Sequence, residues 1–417
     1  MVVEAGLHTE RNASKRPNNP TGSAGRRKPQ MAGPLLFLAP CLQFINVPIV
    51  GNLFLTDILL AVAAPFLLLN RGERLRDRLP RRAILLLMAW LIGQMATDLV
   101  RGSAFVDFAR GWSMIIFSIT AFCSLYLLVD GRPRRVAWFV LGSAAGAILS
   151  SSVSPSPYAA SDPWKFGYGV AVTTVVTLLA ARLWQRGAAG RAMAEFLLVL
   201  ASLGNFVLGY RSLGAVAALT AGYLIVATIA RRHARYGDPA TRRGQPGKQG
   251  LAIVIALAAW GLTAGYSYAA DSGLLGATAQ AKYQMQQAGK YGILLGGRTE
   301  PLISTRAVID SPLIGHGSWA KDCNYSTLYL ELKRDAGYFP GEEGESCLIP
   351  AHSYLLGSWV QAGVMGAVFW IWVLSLAYRA LDAGPTTSQA LAPLVAFVSL
   401  WLTWNTLFSP YAGEARF

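Results

Sequence analysis

The sequence predicts an all-α polytopic membrane protein of about eleven transmembrane helices, or twelve, with one large periplasmic loop between the ninth and the tenth. Three observations carry that expectation. Hydrophobic residues make up 53% of the 417 against 14% charged, and the mean hydropathy of +0.38 is too high for an ordinary soluble domain. Apolar runs long enough to cross about 30 Å of hydrocarbon recur from residue 34 onward, separated by turn or charge signals. One gap between runs, 270–352, is far longer than any other.

The elements follow in order. Residues 1–33 are rich in Gly, Pro, Ser, Asn and Lys/Arg, show no cleavable leader, and read as a disordered basic cytoplasmic tail. Spans at 34–49, 52–69, 83–100, 108–129, 136–152, 167–184, 193–210, 212–230 and 251–269 make an N-terminal bundle over 34–269. The first two are short, with Asn46, Pro48 and Gly51 at the bend between them, and read as two crossings or as a re-entrant pair. The loop fills 270–352, and spans at 353–378 and 388–408 form the C-terminal segment, 353–417.

Basic residues set the orientation. The chain carries 37 Lys and Arg against 22 Asp and Glu, a net charge of +15. Of the 37, 25 lie in the tail, in 71–82, 130–135, 182–191 and 231–250, and at Arg379. That alternation keeps the N-terminus in the cytoplasm and puts 270–352 outside. Positive charge distributed this way points to membrane lipids rather than nucleic acid as the partner.

Outside the cytoplasm, Cys323 and Cys347 either pair as a disulfide, closing a 24-residue separation, or stay as two thiols. Cys41 and Cys123 fall in spans and read as packing residues. The common nucleotide and metal motifs are missing, so neither a cofactor nor a metal is expected. Asp57, Asp98, Glu195 and Asn205 are scattered through the spans and form no relay, which favours structural pairing. No internal repeat is evident, which weakens the reading of the chain as a transporter of lipid-linked oligosaccharides.

Two residue types remain for chemistry. His352 stands where the loop re-enters the membrane, after Pro350 and before an apolar helix. A neutral imidazole there can take a proton from a hydroxyl; a helix-start histidine bonded to headgroups or backbone is the plainer reading. Arg211 lies between two closely spaced spans, and Arg298 and Arg306 lie in the loop. Each alone suits a headgroup; together they suit the oxygens of a pyrophosphate. His316, between Gly315 and Gly317 in a Pro/Gly-punctuated turn, could approach a ligand or simply sit at the surface.

Three motifs resemble those of the O-antigen ligase and bacterial polysaccharide polymerase superfamily, membrane glycosyltransferases with lipid-linked donors. His352-Ser353, nine residues, then Gly363-Val364-Met365-Gly366 is the first; Tyr210-Arg211-Ser212-Leu213-Gly214-Ala215 is the second. The third is Gly297-Arg298 followed by Ser311-Pro312-Leu313-Ile314-Gly315-His316-Gly317. Order and spacing match over about 193–380, whereas the first half agrees only in hydropathy.

The resemblance implies an inner-membrane enzyme that moves a polyprenyl-pyrophosphate-linked glycan to an acceptor hydroxyl on the periplasmic side, without metal and with inversion. His352, Arg211 and Arg298 would be catalytic, with Arg306, Ser353 and His316 binding substrate. A polymerase, a ligase acting on a lipid A-core, and a partner that regulates chain length all remain within its scope.

Overall fold

A computed structural model describes residues 32–48, 51–236, 264–265, 267–274, 276–288, 299–335, 347–384 and 390–411, with residue 261. Its first elements are helix α1 (Ala32–Cys41), a 3-10 turn (Leu42–Phe44) and the strands β1 (Asn46–Pro48) and β2 (Asn52–Phe54). Then come α2 (Leu55–Arg71), α3 (Arg78–Arg101), α4 (Phe105–Val129), α5 (Pro133–Val153), the short α6 (Pro157–Ser161), α7 (Gly169–Trp184), α8 (Gly187–Val207) and α9 (Arg211–Tyr236). The long connection contributes α10 (Ala277–Ala288), α11 (Glu300–Asp310) and α12 (Cys323–Asp335). The chain returns through α13 (Tyr354–Ala362), α14 (Val364–Asp382) and α15 (Ala392–Phe408).

Among the described residues, eight helices are long and apolar enough to cross a membrane, and α1 and α15 are shorter apolar helices. Their outer faces require lipid. Leu69 is 87% exposed, Ile92 62% and Phe196 54%, a pattern that in water would favour aggregation and in hydrocarbon has no such cost. The chain is a helical polytopic membrane protein.

Inside the bundle, α3, α4, α13 and α14 share a core built on Leu87, Trp90, Ile115, Phe369 and Trp370. A second core joins α7, α8, α9, α14 and α15 through Trp184, Leu198, Leu224, Leu381 and Ala396. The scattered polar residues of the spans have partners. Asn205 donates to the Thr173 hydroxyl (2.9 Å) and accepts from the Trp164 indole (3.0 Å). Glu195 accepts from the Thr228 hydroxyl (3.2 Å), and Asp57 accepts from the Phe54 N–H at the start of α2 (3.1 Å).

Two departures from the sequence reading stand out. The segment expected as a span at 34–49 is a ten-residue helix, about 15 Å long and thus too short to cross alone, followed by an antiparallel hairpin. That hairpin pairs Asn46 with Phe54 and Pro48 with Asn52, so the chain is not wholly α; pairing satisfies backbone that a bend near the membrane would leave bare. The span expected at 353–378 is broken at Gly363, for reasons given below. Most of the span expected at 251–269 lies outside the described residues.

Candidate functional site

The long connection builds its own small core. Ile303, Ala307 and Val308 of α11 meet Tyr325 of α12, Ile349 and Val360 of α13. Cys323 and Cys347 are joined by a disulfide. Around it Asp322 N–H donates to the Cys347 carbonyl (2.6 Å) and Ile349 N–H to the Ala320 carbonyl (3.0 Å), so segments 320–322 and 347–349 run side by side. Ser304 then donates to the Pro350 carbonyl (2.7 Å), which fixes the chain two residues before His352.

The loop is latched to the bundle by residues 311–321. Ser318 donates its N–H to Asp98 Oδ1 (2.6 Å) and its hydroxyl to Asp98 Oδ2 (2.7 Å). The same carboxylate accepts from the Ser103 hydroxyl and the Trp112 indole, each at 2.7 Å. With the Gln94 amide (3.5 Å), five donors satisfy a carboxylate that is 3% exposed and would otherwise be costly to bury. Arg101 adds bonds to the Gly315 carbonyl (3.0 Å) and the Ser311 hydroxyl (2.8 Å), and Lys321 pairs with Asp107 (2.9 Å). Gly111 lets Ser318 come close: a Cβ there would lie 2.1 Å from its Oγ.

The break at Gly363 belongs to the same latch. Gly363 has φ +60° and ψ −154°, a conformation open essentially to glycine alone, and a Cβ would stand 2.0 Å from the Leu313 carbonyl oxygen. Ending α13 there frees the Val360 and Gln361 carbonyls to accept the N–H groups of His316 (2.7 Å) and Gly317 (3.1 Å). The two glycine-rich motifs found in the sequence are therefore halves of one contact.

Between latch and bundle lies a cavity of about 520 Å³. The bundle lines it with Trp90, Met114 and Tyr411, and the loop with Trp319, Tyr329, Leu348 and residues 349–352. His352 is exposed on its wall, and its ring makes no hydrogen bond to another described residue. Among the described residues lining the cavity, it is the only histidine. Trp90 is 1% exposed, and its indole N–H finds no acceptor among the described residues.

The expected site residues do not all converge. Ser353 lines the cavity, but its hydroxyl is engaged in both directions: it caps α13 by accepting from Leu356 N–H (3.0 Å) and donates to the Thr406 carbonyl (2.8 Å). His316 points elsewhere. Its Nε2 lies 2.8 Å from the Ala307 carbonyl, which can only accept, so that nitrogen carries the proton; its ring meets Tyr325 edge-on. Arg306 is an exposed partner of Asp310 one turn on along α11 (3.2 Å).

Arg211 opens α9 beside Tyr210, whose ring packs on Trp401 of α15, the helix that also receives Ser353. It is not part of the cavity wall. Arg298 lies outside the described residues. Sequence reasoning missed Trp319 and Arg110, whose guanidinium lies 5.8 Å from the Trp319 ring centre, and gave Asp98 no specific partner. An acidic residue in an apolar span was the available signal for Asp98; nothing local marked Trp319.

Fold and site together define a membrane-embedded helical protein with a latched loop over an aromatic cavity. No family model, curated protein or solved structure matches the chain.

Proposed function

We propose that the protein is a membrane glycosyltransferase, a polysaccharide polymerase that passes a polyprenyl-pyrophosphate-linked glycan to the hydroxyl of an acceptor sugar on the outer side of the membrane. One observation carries the reading: an imidazole, that of His352, stands without a described hydrogen-bond partner on the wall of a cavity where membrane bundle and loop meet. A donor anchored to a membrane lipid and an acceptor hydroxyl on a glycan outside the hydrocarbon have to meet at such a boundary. The motif resemblance supports the same chemistry.

In this reaction His352 takes the proton of the acceptor hydroxyl as its oxygen attacks the anomeric carbon. The new C–O bond forms as the bond from that carbon to the pyrophosphate oxygen breaks, and the electron pair leaves with the lipid pyrophosphate. Arginine forks would offset the charge that develops there; the motif resemblance gives that task to Arg211, which lies off the cavity wall, and to Arg298, with Arg306, paired with Asp310, a lesser member of the set. The donor and acceptor glycans are the substrates; no cofactor is invoked.

The test is an assay of the purified protein with lipid-linked repeat units. A ladder of elongated products without added core acceptor, lost in His352→Ala, is the expected result. Products only when lipid A-core is added would make the protein a ligase. Transfer that is unchanged in His352→Ala would remove the assignment of the base.

A further inference from the structure

The latch pins the residues on either side of Trp319 and leaves Trp319 itself in an unusual state. Ser318 is held by two hydrogen bonds to Asp98, and Ala320 accepts from Ile349 N–H. Between them Trp319 has φ +51°, a left-handed conformation that a bulky residue rarely adopts. It is nevertheless 40% exposed, lines the cavity, and has the Arg110 guanidinium over its ring, 5.8 Å from the centre. Strain held at a large side chain that the protein leaves uncovered marks a surface kept for a ligand.

We propose that Trp319 is the platform on which a sugar ring of the acceptor glycan stacks, an inference that rests on the glycosyl-transfer reading above. The indole offers a broad apolar face to the C–H face of a pyranose, while the ring's hydroxyls remain free for polar groups. A neighbour favours a sugar over a prenyl chain. Arg110 supplies N–H donors that hydroxyl oxygens can use and a hydrocarbon chain cannot. The acceptor is the sugar that has to bring a hydroxyl to His352, which shares the cavity wall.

Saturation-transfer NMR on the full-length protein in nanodiscs, with a panel of methyl pyranosides as probes, tests the platform without requiring turnover. The expected result is transfer to the ring C–H protons of at least one glycoside with wild type and Trp319→Phe, and its loss with Trp319→Ala. In the transferase assay Trp319→Ala should raise the acceptor KM roughly tenfold, the loss of one stacked ring, with the donor KM unchanged. Trp319→Phe, which keeps an aromatic face, controls for folding.

Equal glycoside contact in wild type and Trp319→Ala would overturn the proposal, as would contact with farnesyl phosphate in place of every glycoside. Glycoside contact that depends on Trp319 in a protein with no transfer activity would keep the platform and sink the transferase reading instead.

Discussion

Ser318 and Asp98 are 220 residues apart, yet the serine gives both its N–H and its hydroxyl to the two oxygens of that carboxylate. The pair joins the long loop to helix α3 beside Trp319, which lines the cavity. Hydrogen bonds to a buried charged group are among the stronger ones a protein makes. Asp98→Asn replaces one acceptor oxygen by a donor facing other donors, and should cost about 2–4 kcal/mol. Ser318→Ala should cost about half of that, since its N–H remains. Thermal unfolding in detergent, with limited proteolysis of 299–335, reads both; a loop equally resistant in Asp98→Asn would show that the latch holds nothing.

Gly363 should tolerate no side chain. Alanine there meets both the forbidden backbone conformation and the Leu313 carbonyl, and should cost about 3 kcal/mol or more. Gly204, inside α8 with nothing within 4 Å of a built Cβ, is the control, and its alanine variant should be neutral or more stable by about 0.5–1 kcal/mol. Folded yield by size-exclusion chromatography separates the two. Equal yields would refute the break as a requirement of the fold.

The disulfide makes a chemical prediction. With four cysteines in the chain and Cys41 and Cys123 free, the denatured protein should titrate two thiols before reduction and four after. Cys323→Ser with Cys347→Ser should release roughly 3 kcal/mol of loop constraint and speed cleavage within 299–335, while the transmembrane helices persist by circular dichroism. Four thiols at the outset would count against the bridge.

Tyr325 links the loop to alkaline pH. Burial first, then its hydrogen bond to Asp310 and the Asp310 charge, push the phenol from 10.0 up to about 12. A folded value above the unfolded one means the protonated form stabilises the loop; the contribution is complete below about pH 10 and fades as pH rises through about 12. Protease resistance of the loop should therefore fall over that window in wild type and much less in Tyr325→Phe. An equal fall in the two proteins would place the sensitive group elsewhere.

Much of this was legible because local pattern carries it. The span limits near 83–100, 108–129 and 136–152 fall within α3, α4 and α5, since twenty apolar residues between charges have few alternatives in a bilayer. The break at Gly363 was not legible, because a glycine inside an apolar run reads as a tolerated small residue until the Leu313 carbonyl is placed beside it. His316 looked available for a ligand only while the Ala307 carbonyl was out of view.

The sequence by itself determined the solvent of this chain and the approximate ends of most of its helices, because hydrophobic length and charge are sums over neighbours in the chain. It also singled out His352, which the structure places on the cavity wall. Only the tertiary structure decided what meets what: Asp98 with Ser318, Gly363 with Leu313, Trp319 with Arg110. These contacts join residues distant in the chain, and neither residue of a pair has a local pattern from which the other could be read.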